Sequence, residues 1–149
     1  MRTVEAEALV GASRDEVWEL YDDIAGLPRW LPSVERIVYV SGPAQVGAVY
    51  RARTRIAGIG VTEQWEIVAH RHPVRQVHAS SGTLLHRTRT ITFEARGTGT
   101  WVHESVELSS RLWGPLGWMH EALAAVPAGA IMRTTVASAK RVFEGEPPH

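Results

Sequence analysis

Residues 84–110 read LLHRTRTITFEARGTGTWVHESVELSS, two alternating runs joined by a glycine-bearing turn. Side chains of a strand alternate between its two faces. The first run therefore sends Leu85, Arg87, Arg89, Ile91 and Phe93 to one side, and His86, Thr88, Thr90, Thr92 and Glu94 to the other. A hairpin closing around Gly97 and Thr98 sets Phe93 opposite Val102, Ile91 opposite Glu104 and Arg89 opposite Val106. Glu104 then shares a face with Val102, Val106 and Leu108, and lies diagonal to Arg89, within reach of long side chains. If this is the buried face, two arginines and a glutamate are buried with it. Burial of such groups requires a partner charge or an internal aqueous cavity.

The neighbouring sequence repeats the pattern. Strands are expected at about 34–41, 46–57, 60–70, 74–82, 84–96 and 99–110, separated by the turn signals SGP, AGIG, HRHP, SGT and RGTG. Links this short join antiparallel neighbours, so the six strands form a meander. TVEAEALV at 3–10 adds a further strand. Ser13-Arg14-Asp15-Glu16 is a capping box, in which the serine and the glutamate satisfy each other's free backbone donors. Val17, Leu20, Tyr21 and Ile24 continue it at helical spacing. That helix stops near Gly26, where LPRWLP holds Trp30 between Pro28 and Pro32. A long helix is expected from about Gly117 to Glu144, roughly 40 Å at 1.5 Å per residue, kinked at Pro127. The GEPPH tail reads as frayed.

A seven-stranded antiparallel sheet has one apolar face to cover, and the last helix is the element long enough to cover it. Ala122, Ala124, Ala125, Ala128, Ala130, Ala137 and Ala139 make that helix thin. Two readings stay open: a curved sheet gripping a thin helix leaves a void, or alanine is present as the best helix former.

The hairpin at Gly58-Ile59 is expected to set Ile56 opposite Val61, Thr54 opposite Glu63, Ala52 opposite Trp65 and Tyr50 opposite Ile67. Glu63 then points inward, whereas Arg51, Arg53 and Arg55 point outward, Arg51 facing Glu66. The inward face collects Glu63, Arg87, Arg89, Glu104, Tyr50 and Thr54 among apolar neighbours. In a partly wet cavity such a set can hold a carbonyl, stabilise an enolate or move a proton. In a solid core, Arg89 and Glu104 would instead be a structural pair, or a β-bulge would turn one of them outward.

Composition removes several function classes. One domain is expected over residues 1–149, in which sixteen basic residues balance sixteen acidic ones. Neutrality argues against a nucleic-acid or anionic-membrane binder. Without cysteine there is no disulfide framework, thiolate nucleophile or cysteine-ligated zinc. No apolar run reaches the roughly 18 to 20 residues of a membrane span, and MRTVEAEA lacks a signal-peptide apolar region. A cytoplasmic protein is the expectation. His70 and His72 in HRHP have metal-pair spacing but no third ligand, and a solvated turn is the favoured reading. His103 and Trp101 fall on the outward face. The Arg51 to Arg55 stripe reads as a solvated sheet face.

The run ASRDEVWELYDDIAGLPRWL at 12–31, the hairpin GTGTWVHESVEL, RLWGPLGW and the closing SAKRVFE resemble the START-like helix-grip superfamily, in its polyketide cyclase/dehydrase branch. The resemblance covers nearly the whole chain. It implies an α+β fold with a curved seven-stranded antiparallel sheet wrapped around a long C-terminal helix, and two short helices after the first strand. It also implies an elongated cavity for an apolar ligand, and transfers no catalytic residue.

Together these readings point to a hydrophobic, oxygenated small molecule, polyketide or lipid-like, held in a pocket of several hundred Å3. The expected catalytic set is Arg89 and Arg87 for oxyanion charge, with Glu104 or Glu63 moving protons. Tyr50, Thr54, Trp65 and Phe93 are expected to line the pocket, and Trp30, Trp118, Met119 and His120 to border its mouth, Trp113 lying near them. No metal or organic cofactor is expected, and the chain is expected to be a monomer or homodimer. The alternative function is a non-enzymatic lipid or quinone carrier. A protein-interaction module built on the Arg51 to Arg55 face is a third.

Overall fold

The alternating segments pair into one seven-stranded antiparallel sheet in a computed structural model that describes residues 1–56, 58–82 and 84–144. Its strands are β1 (Arg2–Val10), β2 (Val34–Val40), β3 (Val49–Ile56), β4 (Ile59–Arg71), β5 (Arg75–Ser81), β6 (Leu85–Arg96) and β7 (Gly99–Ser110). The order across the sheet is β1-β7-β6-β5-β4-β3-β2, so β2 to β7 form the expected meander and β1 pairs along β7. Helix α1 (Arg14–Asp22) and a 3-10 helix (Ile24–Arg29) lie between β1 and β2, and α2 (Pro115–Val142) follows β7. The expected frayed tail lies outside the described residues.

The β6–β7 register is the one the alternation implies, with Phe93 opposite Val102, Ile91 opposite Glu104 and Arg89 opposite Val106. The β3–β4 register differs. Tyr50 faces Trp65, Ala52 faces Glu63 and Thr54 faces Val61, while Arg51 faces Gln64 rather than Glu66. The reversal is centred one residue earlier than expected, at Gly58, whose φ of +82° is open to glycine and strained for other residues. Because the resulting shift is two residues, every side chain keeps its face. Strand β3 also begins later than expected, after Gly47 at φ +91°.

At the start of α1, Ser13 Oγ accepts the Glu16 backbone N–H at 3.2 Å, as a cap should. The reciprocal bond of the expected box is replaced: Ser13 Oγ donates to the Glu16 carboxylate at 2.9 Å. Helix α2 starts two residues earlier than expected, because Gly114 turns the chain at φ +59° and Pro115 occupies the first helical position, where its missing N–H costs nothing. A Cβ on Gly117 would stand 2.3 Å from the Leu112 carbonyl oxygen, so only glycine fits that entry turn. The helix runs unbroken through Pro127.

Three apolar clusters hold these layers together. Trp18 and Tyr21 of α1 pack on Ile91, Phe93 and Val102, with Ala139 from α2. Met132 packs on Val106 and Leu108, and Ala124, Ala125 and Ala128, with Val4, Ala6 and Leu85, pack against that cluster. Leu27 and Leu31 cover Tyr50, Ile67 and Ala48. Helix α2 thus covers the β1–β7 half of the inner face, and the segment around the 3-10 helix covers the opposite end. Between them the inner face stays open.

Candidate functional site

That gap is a cavity of about 110 Å3. It is smaller than the several hundred Å3 expected, because two arginines, Trp65 and Tyr50 project into the space that the thin helix leaves. Its apolar walls are Leu27 and Leu31, Ala52 and Ile56 of β3, Val106 of β7, and Ala128, Ile131 and Met132 of α2. From the sheet, Tyr50, Thr54, Glu63, Trp65, Arg87, Arg89 and Glu104 add polar and aromatic groups to the lining, and Ser33, Val34 and Thr135 border it as well. The period-2 alternation of β3, β4, β6 and β7 places all the lining residues of these strands on one face.

The charged groups form two pairs. Arg89 Nε donates to Glu104 Oε1 at 2.8 Å, and Arg89 Nη2 approaches the same oxygen at 2.6 Å. Tyr21 donates its hydroxyl to Glu104 Oε2 at 2.8 Å, so both oxygens of a carboxylate with 0% exposure are occupied. Burial opposes the Arg89 charge, but Glu104, with Tyr50 and Tyr21, outweighs it and holds the guanidinium above its ordinary pKa. Burial, reinforced by the Glu104 charge, raises the Tyr21 hydroxyl well above its usual range. In the second pair Arg87 Nη2 donates to Glu63 Oε2, and Thr54 Oγ1 donates to Glu63 Oε1 at 2.7 Å. The Arg87 guanidinium lies over the Trp65 ring at 4.9 Å, and burial lowers its pKa.

A further polar chain runs behind Tyr50. The Tyr50 hydroxyl is 2.6 Å from His78 Nδ1, His78 Nε2 is 3.0 Å from Gln76 Oε1, and Gln76 Nε2 donates to Asp22 Oδ1 at 3.2 Å. His70 Nε2 meets the same Asp22 oxygen at 2.7 Å. Burial first, then the charges of Arg89 and His70, push the His78 pKa down to about 3, so its ring is neutral near pH 7. Burial raises the Tyr50 hydroxyl as well.

The expected residues divide cleanly. Arg89, Glu104, Glu63, Arg87, Tyr50, Thr54 and Trp65 are brought together around the cavity. Phe93 is not among its walls: it lies in the solid core, edge-on to Trp18 and Tyr21. Trp30 packs behind the lining, edge-on to Tyr21, and its buried Nε1 has no hydrogen-bond partner among the described residues. Trp118 is 67% and Met119 49% exposed, away from the cavity, and His120 is engaged by Ser110 Oγ at 2.7 Å. The reason is common to these three: the first turns of α2 sit at the end of β7, where Glu121 and His120 bond Ser110, and the cavity is reached only further along the helix, at Ala128, Ile131 and Met132. Trp113, at 85% exposure, does not close a mouth either.

Among the other candidates His70 departs from the expected solvated turn: it lies in β4 with its side chain 16% exposed, edge-on to Trp18. His72 is edge-on to Trp18, and no group of three metal-ligating side chains exists among the described residues. Arg55 pairs with Glu35 at 2.6 Å, and Arg51 lies over Tyr39. His103 and Trp101 point outward to Glu5 and Glu7. Helix α2, at 28 residues with a window mean hydropathy of 1.2, is long and apolar enough for a membrane span, contrary to the expectation from the sequence. Its Met132, Val136 and Ala139 are buried against the sheet, as in a core helix.

Sequence reasoning missed Tyr21, His78, Gln76 and Asp22. For Tyr21 and Asp22 there was no signal, since Tyr21 sits at a helical apolar position. For β5 there was one: RQVHASS places Gln76, His78 and Ser80 on one face of a central strand, which is unusual for a packed core.

An open antiparallel sheet laid against one long C-terminal helix, with a polar-lined cavity between them, is the architecture of START-like helix-grip proteins. The family described as polyketide cyclase / dehydrase and lipid transport matches residues 1–144, and the chain belongs to it. Among solved structures it is similar to a START superfamily protein from Mycobacterium smegmatis, with a TM-score of 0.76 and 14% identity over 95% of this chain and 97% of that one. It is also similar to the Zhui aromatase/cyclase from Streptomyces sp. R1128, with a TM-score of 0.72 and 20% identity over 94% of each. Norcoclaurine synthase from Thalictrum flavum gives 0.70 and 19% over 99% of this chain and 89% of that one. A comparison with curated proteins finds no match.

Proposed function

We propose that the chain binds an oxygenated hydrophobic small molecule in this cavity and acts on it as a cofactor-independent enzyme of the polyketide cyclase type. The observation that carries the reading is the pair of guanidinium–carboxylate couples set in mostly apolar walls, Arg89 with Glu104 and Arg87 with Glu63. Apolar walls fold a flexible chain of carbonyls so that its reacting carbons meet. Arg89, fixed by Glu104, directs its remaining Nη1 N–H groups at a carbonyl oxygen where negative charge develops. Glu63, with 10% of its side chain exposed, takes the proton from a carbon between two carbonyls. The enolate so formed attacks the activated carbonyl carbon, whose oxygen then takes the proton that Glu63 removed, returning Glu63 to its carboxylate. Both carboxylates have both oxygens bonded, and exposure separates them: Glu104, at 0%, suits positioning of Arg89, whereas Glu63, at 10%, takes the proton by exchanging its bond from Thr54 or Arg87.

The assay uses a short linear β-keto thioester that closes a single ring, in keeping with a cavity of about 110 Å3, with mass spectrometry of whatever co-purifies to define the ligand class. Cyclisation should run faster than in buffer, and Glu63→Gln should slow it by about 10²- to 10⁴-fold with little change in affinity. Binding with only the spontaneous rate of cyclisation would make the protein a lipid or quinone carrier, whose charges orient a head group.

A further inference from the structure

The chain behind Tyr50 has a direction, and Asp22 sets it. An ionised carboxylate only accepts hydrogen bonds, so Gln76 must present its amide N–H to Asp22 Oδ1 and its carbonyl oxygen to His78. That carbonyl also only accepts, so His78 Nε2 carries the ring proton and Nδ1 is bare. Protonation of Nδ1 as well is disfavoured by burial and by the Arg89 charge. The 2.6 Å contact between Tyr50 and His78 is therefore made with the tyrosine proton. A hydroxyl has one proton to give, and what remains of the Tyr50 oxygen is two acceptor lone pairs.

We propose that Tyr50 acts as a hydrogen-bond acceptor that selects a ligand hydroxyl, phenolic or enolic, with His78, Gln76 and Asp22 as the positioning residues that fix this polarity. The inference rests on the reading of the cavity as a ligand site. Arg89, on the strand beside His78 and in the same lining, supplies the complementary donor. The cavity thus takes compounds in which a free hydroxyl accompanies a carbonyl, and discriminates against their ethers. A volume of about 110 Å3 suits one ring, being somewhat below the roughly 150 Å3 that accepts benzene in an apolar engineered site.

Two measurements test it. Nitrogen-15 NMR of the histidine rings in the ligand-free protein should show His78 protonated at Nε2 and bare at Nδ1; a proton on Nδ1 overturns the proposal without reference to any ligand. Phenol and fluorobenzene, nearly equal in size, are then titrated against the cavity resonances. Phenol should bind at least about tenfold tighter. In Asp22→Asn the side-chain amide permits either direction along the chain, so the preference should fall at least about threefold while the fold stays intact. Equal binding of the two probes overturns the acceptor role alone, whereas binding of neither overturns the ligand site as well. An unchanged preference in Asp22→Asn overturns the role given to Asp22.

Discussion

Glu104 shows how much one buried carboxylate decides. It holds the Arg89 guanidinium from one side and the Tyr21 hydroxyl from the other, at 2.8 Å each. Glu104→Gln keeps the shape but leaves Arg89 a buried cation without its counter-charge, and should lower unfolding free energy by about 3–5 kcal/mol in urea titrations. Tyr21→Phe removes one neutral donor and should cost less, about 1–3 kcal/mol. A Glu104→Gln loss no larger than that of Tyr21→Phe would mean that the charge on Glu104 matters little. His78 adds a pH dependence of known sign. Its pKa falls from 6.5 to about 3 on folding, chiefly through burial, so between those values the unfolded chain binds more protons than the folded one. Stability is then present above about pH 6.5 and is lost on acidification, by roughly 1.4 kcal/mol per pH unit from this residue. The urea-derived stability of His78→Gln, compared with the parent between pH 4 and 6.5, should lack that slope.

At the scale of elements, the 3-10 helix and the middle of α2 face each other across the cavity, with Leu27 and Leu31 on one side and Ala128 and Ile131 on the other. Both segments are locally weak. Pro28 lies inside the 3-10 helix, while Pro127 deletes a backbone hydrogen bond and Gly129 lowers helix propensity on either side of Ala128 in the cavity wall. Ligand entry is expected between them. Amide hydrogen exchange of residues 27–31 and 128–132 should slow at least severalfold when phenol is bound, with the β6–β7 hairpin unchanged. Equal protection with and without ligand would place the entrance elsewhere. The start of α2 takes no part, because Trp113, Trp118 and Met119 stand in solvent.

At the scale of the whole molecule, the cavity exists because a thin helix is held at one side of a wide sheet. Alanines 124, 125 and 128 let α2 settle on Val106 and Leu108, and the cavity is left between the helix and the inner face of β3, β4, β6 and β7. Ala128→Leu should fill part of the gap, raising stability by about 0.5–1 kcal/mol and weakening phenol binding at least about tenfold. A gain in stability with phenol affinity intact would show that Ala128 does not border the bound ligand. Much of this architecture was legible in the chain alone. Period-2 alternation broken by glycine-bearing turns prescribes an antiparallel meander, and the inward placement of Arg87, Arg89, Glu63 and Glu104 follows from alternation whatever the loop length, provided any slip is even. The β3–β4 register, off by two residues, left those faces unchanged for this reason. Only the tertiary structure decided what alternation cannot carry. Tyr21 and Asp22 reach Glu104 and Gln76 from a helix more than fifty residues away in the chain. Phe93 shares its face with Arg89 yet lies under α1 instead of in the cavity. A strand's pattern says which face a side chain occupies, but what covers that face is set by packing between distant elements, for which local periodicity holds no information.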